Sequence, residues 1–175
     1  LLDNDGHINE GMYRYFDDVM YGDSLRQYKK EYGYYDLLLI TKDGNVVYTL
    51  NRESDLGQNV LTGTLKESSL SGCFREGLKS VAVQDFSPYP PSGDQHISFV
   101  SAPILKDGEM MGVIALKLDS DPLNTIVQRH KGMGKTGETW LAGRQDGKIT
   151  CRSDRIIGKG KIGDPKTGDI IEKAM

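Results

Sequence analysis

The sequence predicts an α+β domain in which helices pack on an antiparallel sheet, and three observations carry that prediction. Asp43-Gly44 and Asp107-Gly108 each separate two apolar runs, the arrangement of a tight hairpin whose glycine accepts a positive φ. Helical spacing of apolar residues marks a segment before the first hairpin, within 1–32, and one between the two, within 65–79. The 21 glycines among 175 residues supply the many turns that a strand-rich chain needs.

The elements follow in order. Met12, Tyr15, Phe16, Val19 and Met20 form an amphipathic stripe within residues 1–32, broad enough to cover a sheet. Gly22-Asp23-Ser24 interrupts it, with Asp23 or Ser24 as N-cap for a second segment carrying Leu25, Tyr28 and Tyr32, and Gly33 closes it. The period then changes. Tyr35–Thr41 and Val46–Leu50 read as strands, 51–63 as loop, and 65–79 as a helix with Leu70, Phe74 and Leu78 on one side. Val81–Phe86 reads as a third strand, ended by Pro88, Pro90, Pro91 and Gly93. His96–Leu105 and Met110–Leu118 complete five strands. In the last of these Ile114, Leu116 and Leu118 suit a core, whereas Val113, Ala115 and Lys117 suit solvent or a cavity. Hairpin joints make neighbouring strands antiparallel.

This divides the chain into a helical segment over 1–32, a sheet module over 33–121, a connector over 122–135 and a final segment over 136–175. The connector holds a short helix, Leu123–His130, and a glycine-rich stretch. The final segment holds a hairpin-like pair, Thr139–Gly143 and Lys148–Arg152, around Gln145-Asp146-Gly147. So short a tail encloses little core alone and reads as the opening of a second module.

Composition excludes several functions. With 37% hydrophobic residues and a net charge of −3, the chain is neither disordered nor, with 22 basic against 25 acidic residues, a nucleic-acid binder. No run approaches the roughly 18 apolar residues of a membrane span. Cys73 and Cys151 lack metal spacing and a nearby histidine. Gly132-Met133-Gly134-Lys135-Thr136 imitates a phosphate loop, but Arg129 stands where its first glycine belongs, and a helix precedes it instead of a strand. Asp3, Asp5, Gly6 and Ile8 imitate a calcium loop, yet Leu1 and Met12 replace its terminal ligands. His7, His96 and His130 sit in separate elements, and no nucleophile–base pair can be assigned. The sequence therefore indicates no enzyme, no metal and no cofactor.

Asp85-Phe86-Ser87-Pro88-Tyr89-Pro90-Pro91-Ser92 is the segment richest in chemistry. Aromatics and hydroxyls interleaved with prolines make a rigid loop able to line a small-molecule pocket. A turn that merely packs Phe86 and Tyr89 into the core is the other reading. Asp85 has two open roles: orienting a cationic or hydroxylated ligand, or capping the amides of residues 87–89 as an Asx turn does.

Taken in order, several segments resemble the membrane-distal module of double Cache sensor domains. They are Gly33-Tyr34-Tyr35-Asp36-Leu37, Lys42-Asp43-Gly44-Asn45-Val46-Val47-Tyr48 and Glu53-Ser54-Asp55-Leu56-Gly57-Gln58-Asn59, then Asp85–Ser92, Phe99-Val100-Ser101-Ala102-Pro103-Ile104 and Gly112-Val113-Ile114-Ala115-Leu116. Gly134–Leu141 and Cys151-Arg152-Ser153-Asp154 resemble the start of the membrane-proximal module. The resemblance covers nearly the whole chain.

It implies a long N-terminal helix, a PAS-like five-stranded antiparallel sheet with flanking helices, and an incomplete second PAS-like module that should continue past Met175. It further implies a periplasmic, ligand-sensing region of a bacterial chemoreceptor, sensor histidine kinase or nucleotide cyclase. Such a receptor is anchored in the inner membrane by helices outside this segment and dimerises through its N-terminal helices. A ligand-free module serving dimerisation or signal relay is the alternative. Members that bind amino acids carry an Arg-Trp-Tyr cluster after the second strand. Here that cluster is missing and the only tryptophan is Trp140, in the second module, so the resemblance does not carry amino-acid recognition over to this chain, although Asp85 is still able to meet an amine. The candidate pocket residues for a small-molecule ligand are Tyr48, Asp85, Ser87, Tyr89, Phe99 and Ser101. Their rings offer apolar contact, and their hydroxyls and carboxylate offer orientation.

Overall fold

A computed structural model of the protein describes residues 1–129, 131–145, 147–168 and 171. His130 and Asp146, which the sequence reading placed at a helix end and in a turn, lie outside the described residues. Contacts divide the chain into two compact units, Leu1–Asp119 and Ser120–Met175.

The first unit opens with a continuous helix built of α1 (Glu10–Arg14), a π-helical stretch (Tyr15–Tyr21) and α2 (Gly22–Tyr32). Asn9 caps its start, Oδ1 accepting from the Met12 amide at 3.0 Å. Gly33, left-handed at φ 72°, ends it. The interruption expected at Gly22 is instead a change of helical winding. The Gly22 amide donates to the Asp17 carbonyl five residues back, and a Cβ at Gly22 would lie 2.0 Å from that oxygen.

The wider π turns also shift the helix face. Met12, Tyr15, Val19 and Met20, expected to cover the sheet, are 49–67% exposed. The residues that meet the sheet are Tyr13, Phe16 and Leu25. The Tyr13 and Phe16 rings pack on Tyr48, and the Tyr13 hydroxyl donates to the Thr49 carbonyl. A spacing of three and four residues cannot follow one face through turns that bond five apart.

Strands β1 (Asp36–Thr41), β2 (Val46–Thr49), β3 (Ala82–Tyr89), β4 (Gln95–Lys106) and β5 (Glu109–Leu118) form one antiparallel sheet in the order β2-β1-β5-β4-β3. Asp107 (φ 53°) and Gly108 (φ 81°) form the two-residue turn between β4 and β5, with Lys106 opposite Glu109. Pro88, expected to end the third strand, lies within β3 opposite His96. The edge position tolerates its missing amide hydrogen. The register of β3 against β4 shifts between Gln84 and Ser87, so Asp85 and Phe86 fall in a β-bulge.

Each sheet face is covered. On one side Leu38, Ile40, Val46, Phe99, Val113 and Ala115 pack with Leu70, Cys73 and Phe74 of α3 (Ser69–Gly77) and with Val60 and Leu65. On the other side Leu37 and Tyr48 meet the N-terminal helix. The β1–β2 bulge, where Leu39 faces Tyr48 but Ile40 faces Val46, turns Val46 and Tyr48 to opposite sides. In β5 the expected polarity is reversed. Val113, Ala115 and Lys117 are fully buried, whereas Ile114, Leu116 and Leu118 are half-buried. Helix α3 covers the first set more completely than the N-terminal helix covers the second.

The second unit holds α4 (Asp121–Val127) and a two-stranded ladder of β6 (Ala142–Gln145) and β7 (Lys148–Cys151). Glu138 accepts the amides of Ile157, Gly158 and Ile156 and pairs with Arg155. Those backbone bonds, the Ile157 amide foremost, together with Arg155 hold its carboxyl down at about 2. Among the described residues no helix is long and apolar enough to cross a membrane.

Candidate ligand-binding site

The buried α3 face of the sheet carries a carboxyl and an ammonium, those of Asp36 and Lys117. Lys117, near the end of β5, has no exposed surface and sits opposite Asp36 of β1 and Phe99 of β4. Its ammonium donates to Glu53 Oε2 at 2.8 Å, to Asp55 Oδ2 at 2.9 Å and to Ser92 Oγ at 3.4 Å, and lies 3.8 Å from Asp36 Oδ2. The Tyr89 ring centroid stands 4.9 Å away and the Tyr35 centroid 5.9 Å. Oxygen and aromatic surfaces therefore surround a single primary ammonium.

The surrounding groups are fixed by bonds of their own. Glu53 accepts from the Tyr35 hydroxyl at 2.6 Å and the Ser92 hydroxyl at 2.6 Å, and Asp55 accepts from the Tyr89 hydroxyl at 3.0 Å. Asp36 Oδ1 gathers the amides of Leu37, Leu50 and Asn51 at 2.8, 2.9 and 3.1 Å, which ties β1 to the loop carrying the other two carboxylates. Ser92 belongs to the helical turn Pro90–Ser92 beyond β3, where two prolines set the backbone. Strand β1, the 51–63 loop, the proline turn and β5 thus converge on one point.

Three carboxylates face one ammonium. Asp36 Oδ2 and Asp55 Oδ1 are buried and accept no hydrogen bond. Burial raises the Asp36 carboxyl to about 6 against the pull of Lys117, which spends its closest contacts on Glu53 and Asp55. For Glu53, burial acts upward but the bonds from Lys117, Ser92 and Tyr35 outweigh it and hold the carboxyl low. The bond to Glu53, with burial, pushes the Tyr35 phenol up to about 12. Burial and the Asp55 carboxylate raise Tyr89 further still.

The residues nominated from sequence divide among several places. Tyr89 and Phe99 lie on the Lys117 face at zero exposure, their rings edge to face with centroids 4.9 Å apart. Ser101 shares that face, but its hydroxyl donates to the Cys73 carbonyl at 2.8 Å and so joins β4 to α3. Tyr48 stands on the opposite face, buried against Tyr13, with its hydroxyl donating to Asp17 at 2.5 Å. That face also carries an apolar groove of about 370 Å3 lined by Phe16, Tyr21, Leu25, Leu37, Leu39 and Ile114. Ser87 is half-buried on the edge strand, and Asp85 is exposed in the bulge, accepting the Phe86 amide at 2.7 Å. Asp85→Asn keeps that acceptor, so it should cost at most about 1 kcal/mol in a denaturant titration. A larger loss would mean that the charge itself is in use.

Lys117 and its partners Asp36, Glu53, Asp55, Tyr35 and Ser92 were absent from that nomination. Two signals pointed their way: a lysine on an otherwise small, apolar strand face, and two carboxylates one residue apart in Glu53-Ser54-Asp55.

No protein-family model matches the sequence, and no curated protein does. Solved structures do match in fold. The ligand-binding domain of the Pseudomonas fluorescens chemoreceptor CtaA, in complex with L-serine, is 16% identical with a TM-score of 0.51, over 80% of this chain and 59% of that one. The ligand-binding domain of the Pseudomonas aeruginosa amino-acid chemoreceptor PctC, in complex with GABA, is 16% identical with a TM-score of 0.50, over 76% and 56%. The sensor domain of the Vibrio cholerae histidine kinase DctB is 21% identical with a TM-score of 0.48, over 62% and 39%. The chain thus spans between 39 and 59% of the length of these three. Its structural neighbours are Cache-type sensor domains of a histidine kinase and of chemoreceptors. The α+β, PAS-like fold with its long N-terminal helix is the one that the sequence predicts.

Proposed function

We propose that this chain is the extracytoplasmic sensor region of a bacterial transmembrane signalling receptor and binds a small molecule in its membrane-distal unit, without catalysing a reaction. The observation that carries the reading is the Lys117 cluster. Burying several charges costs stability that an apolar core would not lose, so their concentration at one end of a PAS-like sheet marks a recognition surface rather than a packing solution. Tyr89, Phe99 and Ser101 share its sheet face, and Ser87 and Asp85 lie on the adjoining edge strand. We further propose that residues 136–175 open a membrane-proximal module, and that two copies meet weakly along the exposed stripe of Met12, Tyr15, Val19 and Met20, with membrane anchors supplying the rest of the association.

A second reading has its own observation. Lys117, Tyr89 and Phe99 are large side chains buried at zero exposure on the α3 face, as in a module that relays signals without a ligand. Thermal-shift screening with a metabolite library separates the two, because a ligand that binds only the folded state must raise the melting temperature. A saturable rise with one chemical class supports sensing. A well-folded sample that responds to none supports relay.

A further inference from the structure

We infer that Lys117 is a tethered ligand: the chain occupies a primary-ammonium site with its own side chain, and removing that side chain opens the site to a free alkylammonium ion. The geometry is that of a cation cage. The ammonium has three N–H bonds to give and finds Glu53, Asp55 and Ser92, with the Tyr89 face supplying a further surface for positive charge.

The cage does not depend on Lys117 for its shape. Asp36 is held by three backbone amides, Glu53 by the Tyr35 and Ser92 hydroxyls, and Asp55 by the Tyr89 hydroxyl. Nor does Lys117 satisfy all of it, since Asp36 Oδ2 and Asp55 Oδ1 accept no hydrogen bond at zero exposure. The walls are therefore preorganised for a cation and carry more negative charge than one ammonium neutralises.

The chain length of the guest follows from covalent structure. Lys117→Ala removes Cγ, Cδ, Cε and Nζ, which are the heavy atoms of n-propylammonium. That ion can place its nitrogen at the Nζ position and its carbons along the vacated stem. Ethyl- and methylammonium leave part of the channel empty, and n-butylammonium is too long. Tetramethylammonium has the charge but no N–H to give Glu53, Asp55 and Ser92. Wild-type protein, its cage filled, should not respond to any of these ions.

The test is the melting temperature of wild type and Lys117→Ala at pH 7 with each alkylammonium chloride, with n-propanol, and with sodium chloride at equal ionic strength. The expected result is a saturable rise for Lys117→Ala, greatest with n-propylammonium, of about 5 °C at a tenfold excess over its Kd. Propanol, sodium chloride and tetramethylammonium should give none. If Lys117→Ala does not fold alone, the same comparison is made on refolding yield, with recovery expected from n-propylammonium and not from propanol. Equal effects of n-propylammonium and propanol, or an equal response from wild type, overturn the inference. The metabolite screen on wild type decides the proposed sensing function separately. A wild-type ligand with no rescue of Lys117→Ala sinks the tethered ligand alone, and rescue without a wild-type ligand sinks only sensing.

Discussion

Lys117→Met should lower the stability of the Leu1–Asp119 unit by about 3–5 kcal/mol at neutral pH, which is on the order of 15 °C in melting temperature. Methionine nearly matches the lysine stem in length and flexibility, so little of that loss comes from a cavity. It comes from charge. Glu53 Oε2 and Asp55 Oδ2 each lose a charge-assisted bond shorter than 3 Å, and the carboxylates then face one another without a cation. The electrostatic origin can be separated from packing by neutralising the partners. Adding Glu53→Gln and Asp55→Asn to Lys117→Met should recover most of the loss, because the amides keep hydrogen-bonding capacity and remove the repulsion. Urea titrations of wild type, Lys117→Met, Glu53→Gln/Asp55→Asn and the triple variant form the cycle. A loss below about 1 kcal/mol for Lys117→Met would mean that solvent screens the cluster and that its burial confers no coupling.

That cluster is also where the sequence was hardest to read. Alternation along β5 separated Val113, Ala115 and Lys117 from Ile114, Leu116 and Leu118, but apolar content alone ranked the wrong set as core. The Lys117 set is small because α3 and the closing residues Val60 and Leu65 come close, and its one long member is buried by partners from distant segments. Ion pairs between β5 and the 51–63 loop span more than sixty positions and leave no local period. By contrast, the Asp107-Gly108 hairpin and the amphipathic pattern of Leu70 and Phe74 in α3 depend on neighbours in sequence and were legible. The N-terminal helix falls between these cases. Its existence and its end at Gly33 followed from local chemistry, whereas its buried face did not, because the π-helical winding at Tyr15–Tyr21 breaks the assumed periodicity. Of the aromatics nominated as pocket residues, Tyr89 and Phe99 lie on the Lys117 face and Tyr48 lies on the opposite one, a separation set by the β1–β2 bulge, which leaves no mark in a sequence.

The acid–base behaviour of Asp36 supplies the remaining prediction. Its folded-state carboxyl titrates near 6, above its ordinary 3.8, so between those values the folded protein holds a proton that the unfolded chain has released. Stability from this group is therefore complete below about pH 4 and is lost as pH rises through 6. A shift of this size at a fully buried carboxyl corresponds to a change on the order of 2–3 kcal/mol. The charges facing Asp36 are Lys117, which acts downward from 3.8 Å, and Asp55, which acts upward. Glu53, held low, works in the opposite sense and gains stability as pH rises through its own range, which masks the effect in wild type alone. Asp36→Asn removes the masking, because Glu53 is common to both proteins and subtracts out. The amide oxygen can still accept from Leu37, Leu50 and Asn51, and it does not titrate. The stability of Asp36→Asn relative to wild type should therefore rise by about 2–3 kcal/mol between pH 4 and pH 7.5, whatever its absolute value. Paired urea titrations at half-unit pH intervals measure that difference. A difference flat to within about 0.5 kcal/mol would show that Asp36 is ionised throughout, and that the Lys117 ammonium compensates all three carboxylates rather than chiefly the nearer two.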